Sequence, residues 1–149
     1  MSLSNTSEGN VLALIFQNSN WANLGDATGL RGSTVAGSLY VSVHTADPGE
    51  TGTQTTSEAS YTGYARAAVA RSGAGWTVSG TAPTQAANAA AVSMGACTAG
   101  SETLTHFEVG RDAAGTGEAI FIGALTASLA VSAGITPSFA IGALVCTAD

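Results

Sequence analysis

The 149-residue chain contains no lysine, and four arginines supply all of its permanent positive charge. Only 9% of the residues are charged, against about 25% in an average soluble protein, and the net charge is −6. Phosphate backbones and anionic membrane surfaces are bound through clustered lysine and arginine side chains. We therefore expect neither a nucleic acid nor a membrane as partner. The arginines are Arg31, Arg66, Arg71 and Arg111.

The scarcity of charge also bears on the surface of the protein. Hydrophobic residues make up 45% of the chain and glycine occupies 19 positions, which excludes the polar, highly charged composition of disordered chains. A free monomer rarely exposes a surface so poor in charge. We therefore expect one folded domain, residues 1–149, whose surface is partly covered by other subunits.

Cysteine and long apolar runs are equally scarce. Cys97 and Cys146 are the only cysteines, and we expect two buried thiols in a protein made in a reducing host cytoplasm. No apolar run approaches the roughly 20 residues of a membrane span. The polar segment 1–10 lacks the features of a signal peptide. These observations predict a protein that is used without secretion.

The N-terminal pattern predicts one amphipathic helix over residues 5–17. Asn5 and Glu8 have the spacing of a capping box, and apolar residues then recur at helical spacing. We expect this helix to pack on the rest of the domain or to dock on a neighbouring subunit, followed by a loop over 18–37. The candidate interface residues are Val11, Leu12, Ile15, Phe16 and Trp21.

From residue 38 onward the period changes to two, which is typical of β-strands. The pattern predicts a half-buried strand at 38–44 and a turn shaped by His44, Asp47, Pro48 and Gly49. An alanine-rich stretch, 80–101, is interpreted as a loop with one short strand. The region 38–149 therefore predicts a mainly β fold, a sandwich or jelly-roll-like domain. The other predicted strands are 64–71, 76–79, 90–94, 103–110, 119–126, 128–132 and 138–147.

Residues suited to catalysis do not form a recognisable constellation. His44, Asp47 and Glu50 are close in sequence, but a histidine beside a Pro-Gly turn is more often structural. No G-x-S-x-G motif accompanies the histidines, as a nucleophile elbow would require. A phosphate loop needs a lysine, and the cysteines and histidines are too few and too distant for a metal site. We predict no catalytic, cofactor-binding or metal-binding residues, and no enzyme.

Four segments, taken in order, resemble a family of small virion structural proteins of tailed bacteriophages. They are LYVSVHTADPG (39–49), EASYTGYAR (58–66), WTVSG (76–80) and TLTHF (103–107). Members are labelled tail fibre, minor tail or head decoration (cement) proteins. They often carry glycine after the His-Phe pair, where this chain has Glu108, a departure that predicts a charge on the exposed face of the strand.

The resemblance implies a structural component of the virion. Decoration of the capsid exterior is the first hypothesis, because a compact acidic domain lacks the repetitive shaft of a fibre. The implied partners are then the major capsid protein and further copies of the chain, as a dimer or trimer. A tail fibre or minor tail protein is the second hypothesis. A host-glycan-binding module is the third, and it would require aromatic and carboxylate side chains exposed together in a groove.

Overall fold

A computed structural model of the chain describes residues 3–26, 28–30, 32–81 and 83–148. The prediction of a mainly β fold with one N-terminal helix is confirmed. Two residues of the predicted 18–37 loop, 27 and 31, lie outside the described residues. The helix and strands are α1 (Asn5–Gln17), β1 (Ser38–His44), β2 (Ala67–Ala70), β3 (Trp76–Ser79), β4 (Thr84–Asn88), β5 (Val92–Ser93), β6 (Ser101–Gly110), β7 (Ala119–Ser132), β8 (Ser138–Phe139) and β9 (Val145–Ala148).

Backbone contacts divide the chain into two compact units. The first consists of Met1–Ser38, Ala70–Ala91 and Phe139–Asp149, and the second of Leu39–Val69 and Val92–Ser138. The sheets have the strand orders β2-β1-β6-β7, β3-β4-β9 and β5-β8. Within the described residues, no helix is long and apolar enough to cross a membrane.

Helix α1 has the predicted extent but a different N-cap. Ser4 has an extended backbone (φ −74°, ψ 152°), and its hydroxyl accepts a hydrogen bond from the Ser7 N–H at 3.3 Å. The predicted cap, Asn5, is already helical, so the capping box at Asn5 is wrong by one residue. A cap must keep a non-helical backbone to direct its side chain at the first free N–H groups.

The first unit is built around α1 and the sheet β3-β4-β9. Leu12 and Phe16 are fully buried where α1 packs on all three strands. The Phe16 ring meets Trp76 of β3 edge to face, with ring centroids 4.6 Å apart. At the C-terminal end of the helix, the Gln17 side-chain amide donates to the Trp76 carbonyl at 3.1 Å. Apolar burial and this hydrogen bond together fix the helix on its sheet.

Antiparallel pairing of β1 with β6 forms the centre of the second unit. The register places Ser42 opposite Glu108 and His44 opposite His106. Strand β1 was predicted to be half-buried, yet Ser42 and His44 on its polar face are fully buried as well. The loop after β1 covers them, since it places the Thr56 carbonyl against the His44 ring.

The remaining strand predictions differ from the structure in three places. The stretch 84–88, predicted as loop, is β4, because pairing with β3 on one side and β9 on the other outweighs its alanine-rich composition. The segments 119–126 and 128–132 form one continuous strand, β7. The segment 138–147 instead contains β8 and the start of β9.

Candidate functional site

The predicted interface residues divide according to their burial. Leu12 and Phe16 belong to the core of their own chain, so these two are not available as a surface for another subunit. Val11, Ile15 and Trp21 are partly exposed. Trp21 lies in the segment after the helix, where its backbone pairs with Leu30 in an isolated antiparallel bridge.

The predicted turn residues occupy two different environments. The Asp47 carboxylate accepts a hydrogen bond from the Gly49 N–H at 2.9 Å, and Gly49 has a positive φ of 69°, which favours glycine. Pro48 is buried beside them. His44 instead points into the second unit, where its side chain is fully buried.

A row of buried polar side chains crosses the sheet at this point. Because side chains alternate along a strand, Ser42 and His44 share one face of β1, and the register brings Glu108 of β6 to the same face. All three are fully buried. Glu108 was expected to place a charge on an exposed face. That expectation is wrong, because the loop after β1 covers this face.

Hydrogen bonds define the state of the His44 ring. Its Nδ1 lies 2.9 Å from the Thr56 carbonyl oxygen, which only accepts, so Nδ1 carries a proton. Its Nε2 lies 2.9 Å from the Ser42 hydroxyl and accepts from it when the ring is neutral. Burial lowers the pKa of His44 below its ordinary value, which favours this neutral form.

Glu108 is the least compensated group of the row. Its Oε2 lies 3.6 Å from His44 Nε2, too far for a hydrogen bond. Neither carboxylate oxygen has a hydrogen-bond partner among the described residues. Burial raises the pKa of Glu108 to about 7, although Arg66 acts in the opposite direction. The carboxyl group is therefore partly protonated near neutral pH.

Ser42, His44 and Glu108 are the residue types of a hydrolytic triad, but their geometry differs from one. In a triad the serine and the acid bind opposite nitrogens of the imidazole. Here both lie nearest Nε2, and a backbone carbonyl holds Nδ1. The Ser42 hydroxyl is also fully buried, so a substrate carbonyl has no route to it. The arrangement can hold protons and connect β1 to the loop that follows it.

A second polar group, built on Arg66 and Glu58, borders this row. The guanidinium donates from Nε and Nη2 to the two carboxylate oxygens of Glu58, at 2.6 and 2.8 Å. These hydrogen bonds raise the pKa of Arg66. The Tyr64 hydroxyl donates to the same carboxylate at 2.8 Å. Since only 3% of the Arg66 side chain and 14% of the Glu58 side chain are exposed, this is a buried ion pair.

Arg66 also holds the hairpin loop between β6 and β7. Its Nη1 donates to the Asp112 carbonyl at 2.9 Å and its Nη2 to the Gly115 carbonyl at 2.8 Å. From the other side, the Gln54 Oε1 accepts from the Asp112 N–H at 2.9 Å. A Cβ on Gly110 or Gly117 would overlap the Gln54 side chain, so glycine at both positions makes room for it. The loop is thus anchored from within the second unit.

A shallow depression of about 320 Å³ opens on the surface of the second unit. It brings His106, not His44, together with Asp47 and Glu50. His44 is the histidine near these carboxylates in the sequence, but the structure buries its ring and leaves His106 nearer the surface. Among the described residues, no group of three or more His, Cys, Asp or Glu side chains is placed to hold a metal ion. The other residues that line this depression are Gly49, Ile122, Gly123 and Ala124.

A second depression, of about 280 Å³, contains an aromatic ring and a carboxylate together, as a glycan site would require. The two groups, Tyr64 and Glu58, are already hydrogen-bonded to each other. Sequence reasoning missed Glu58, Arg66 and Gln54 as organising residues. Glu58 is the first and Arg66 the last residue of the segment 58–66, which carries the family resemblance. Their place in that segment was the signal that could have identified them.

Comparison with protein families matches residues 2–147 to the family described as Podophage GP4 fiber I protein gp80. The match includes both compact units, the buried polar row and the hairpin anchored by Arg66. None of the curated proteins compared with the chain matches it.

Proposed function

We propose that this chain is a non-catalytic structural subunit of a phage tail fibre. The chain belongs to the podophage GP4 fiber I protein gp80 family, and this membership is the basis of the proposal. A structural role in the virion follows from the family itself. The fibre assignment rests on the family description, which favours the tail-fibre hypothesis over decoration of the capsid.

One observation carries this proposal: the family match extends over residues 2–147 of 149. A match confined to a short motif would allow a shared fragment in a protein of different purpose. Here the whole folded chain corresponds to the family, so the function in the family's description is proposed for the whole chain.

The interior of the second unit supports a structural role. The polar side chains of Glu108, His44 and Arg66 are all buried, and those of His44 and Arg66 are hydrogen-bonded to their own chain. A catalytic site needs its reacting groups within reach of a substrate. His44 instead holds the loop after β1 and Arg66 holds the β6–β7 hairpin loop, which is the work of a scaffold.

The proposed location can be tested on purified virions of the phage that carries this chain. Gold-labelled antibodies against the recombinant protein are expected to bind at the tail, and quantitative mass spectrometry is expected to give a few to some tens of copies per particle. Virions that lack the protein serve as the labelling control. Label spread over the head, with hundreds of copies, would refute the fibre assignment and establish capsid decoration, with the major capsid protein as partner.

Binding of host glycans is the second candidate function. The depression lined by His106, Asp47 and Glu50 offers two carboxylates and an imidazole, without the aromatic side chain that the sequence hypothesis required. Carboxylates accept hydrogen bonds from sugar hydroxyl groups. A glycan array probed with the wild type and with the double variant Asp47→Ala/Glu50→Ala tests this function. Binding by the wild type that the double variant loses would support it, and silence of the wild type would reject it.

A further inference from the structure

The loop that follows β1, residues 45–57, is a cover segment held mainly by polar contacts. Ala46 and Pro48 are its only apolar side chains, and only Pro48 and Gln54 in it are buried. Ser57, at its C-terminal end, has a positive φ of 55°, which stores strain in a residue other than glycine. Segments with few buried apolar contacts open at a lower free energy than the rest of a fold. The cover segment is therefore suited to local opening.

Two contacts of the cover segment lie on either side of Glu108. The Thr56 carbonyl accepts a hydrogen bond from the His44 ring at 2.9 Å. The Gln54 side-chain amide lies against Gly110, where a Cβ would overlap it. Along the β1–β6 register, Glu108 lies between the positions of His44 and Gly110. The closed cover segment therefore spans the place where the Glu108 carboxyl group is fully buried.

The surroundings of Glu108 do not compensate a negative charge. Neither carboxylate oxygen has a hydrogen-bond partner among the described residues. The neutral His44 ring offers it no proton, because Nδ1–H is directed at a backbone carbonyl and Nε2 accepts from Ser42. The positive charge of Arg66 is balanced by Glu58, which it binds through two hydrogen bonds. The buried cluster is therefore neutral only while Glu108 is protonated.

We propose that the cover segment is held closed by a proton on Glu108 and opens when that carboxyl group ionises. Opening lets water reach the carboxylate, whose charge is costly to keep in a buried site. Because the Gln54 side chain also accepts from the Asp112 N–H, opening releases one anchor of the hairpin loop between β6 and β7. This response to pH does not depend on where in the virion the subunit lies.

The direction of the response follows from the groups around the row. Burial raises the pKa of Glu108 from 4.5 to about 7, so rising pH favours the open form. Burial lowers the pKa of His44, which acts in the opposite sense. On the cover segment, Asp47 and Glu50 are exposed, and β7, the other neighbour of β6, carries no charged residue. The other ionisable groups in or beside the row are Tyr40, Glu58, Tyr64, Arg66 and His106.

Glu108→Gln tests the proposal, because it keeps the shape of the side chain and cannot ionise. Hydrogen exchange of peptides from residues 45–57, followed by mass spectrometry, measures opening at about pH 6 and about pH 8.5. Opening of the wild type relative to the variant is expected to increase about tenfold between these values, since the closed carboxyl group changes from mostly protonated to ionised. Comparison at equal pH cancels the intrinsic exchange rates and the contributions of the other groups.

Two controls separate local opening from other effects of pH. Glu118→Gln removes a carboxylate whose side chain is 68% exposed, and it should keep the response of the wild type. Peptides from β1 and β6 report unfolding of the second unit as a whole. They are expected to stay protected at about pH 8.5 while the cover segment exchanges.

A measurement on the wild type alone keeps the proposal testable if Glu108→Gln does not fold. The carbon-13 NMR signal of the Glu108 carboxyl group is expected to titrate near pH 7, over the range in which the cover segment begins to open. Three results would overturn the proposal. They are an equal pH response in Glu108→Gln, exchange of β1 and β6 together with the cover segment, and a Glu108 carboxyl group that titrates near 4.5 in the folded protein.

Discussion

At the scale of single residues, the buried polar row shows that a side chain's role depends on its cross-strand neighbours. Glu108 follows a His-Phe pair in the sequence and alternates with apolar residues, which is equally typical of an exposed strand position. The structure buries it beside His44 at 3.6 Å. Only the register of β1 with β6, which is a tertiary property, places the carboxyl there.

Glu108 makes stability depend on pH in a defined direction. Burial raises its pKa from 4.5 to about 7, so the folded state binds this proton more tightly than the unfolded state. Its contribution is fully present below the unfolded value and is lost as pH rises through about 7. At pH 8, Glu108→Gln is expected to increase the free energy of unfolding by up to about 3 kcal/mol.

The same substitution is expected to change little at pH 4.5, where the wild-type carboxyl is protonated in the folded state. Urea unfolding at both pH values measures the difference. Glu118→Gln is the control, because 68% of this side chain is exposed. An equal effect of Glu108→Gln at the two pH values would contradict the assigned pKa.

The Arg66–Glu58 pair provides a second prediction for individual residues. Arg66→Met leaves the Glu58 carboxylate buried without its cation and releases the Asp112 and Gly115 carbonyls. We expect a loss of about 3–5 kcal/mol in the free energy of unfolding. The double variant Arg66→Met/Glu58→Met removes the stranded charge as well and is expected to be more stable than Arg66→Met alone.

Arg111 forms exposed ion pairs with Asp112 and Glu118. It is the matched control for the Arg66 variants. The Arg111 side chain is 62% exposed, and Arg111→Met is expected to cost less than about 1 kcal/mol. If both arginine variants cost the same in urea unfolding, burial would not be the reason for the importance of Arg66.

Asp47 allows a smaller test in the turn after β1. Asp47→Ala removes the acceptor for the Gly49 N–H and is expected to destabilise the protein by about 1 kcal/mol, as the loss of a capping-type hydrogen bond does. Asp47→Asn keeps an oxygen acceptor and should retain most of the stability in thermal melting. Equal losses for the two variants would assign the effect to charge instead of this hydrogen bond.

At the scale of helices and strands, the sequence predicted the elements that have a local pattern of apolar and polar residues. The apolar spacing of α1 and the alternation of β1 specify their type and extent without knowledge of the rest of the chain. Strand β4 could not be predicted in this way, because the alanines of 84–88 have little β-propensity and the strand exists through its pairing with β3 and β9. Likewise, no local signal distinguishes one long β7 from two short strands.

The same distinction applies to the candidate site. The turn at Asp47 was predictable because a turn is a local structure. The position of His106 beside Asp47 and Glu50 was not predictable, since it depends on the pairing of β6 with β1. The space for the Gln54 side chain depends on Gly110 and Gly117, two glycines more than 50 positions away along the chain.

The packing of α1 on its sheet gives an element-scale prediction. A helix of 13 residues is only marginally stable alone, so its stability comes from the buried Leu12 and Phe16. Phe16→Ala is expected to cost about 3–5 kcal/mol, and Ile15→Ala, at a partly exposed position, clearly less. Urea unfolding followed by helical circular dichroism measures both. A loss below about 1 kcal/mol for Phe16→Ala would contradict helix packing as a main source of stability in the first unit.

At the scale of the whole molecule, charge distinguishes how copies of the chain meet. The excess of six negative charges acts between copies at a distance, whereas backbone and apolar contacts act only where two copies touch. Long-range repulsion is screened by salt, with a Debye length of about 10 Å at 0.1 M. Backbone pairing and apolar contacts do not depend on such screening.

If copies of the chain associate through uncharged surfaces, raising NaCl from about 50 to about 500 mM should leave their dissociation constant unchanged or lower it by a few-fold, because only the repulsion between the acidic copies weakens. An interface held by ion pairs would show the opposite sign and dissociate as salt increases. Sedimentation equilibrium at several NaCl concentrations measures how the dissociation constant depends on salt. A dissociation constant that rises tenfold with salt would show that copies meet through charged surfaces.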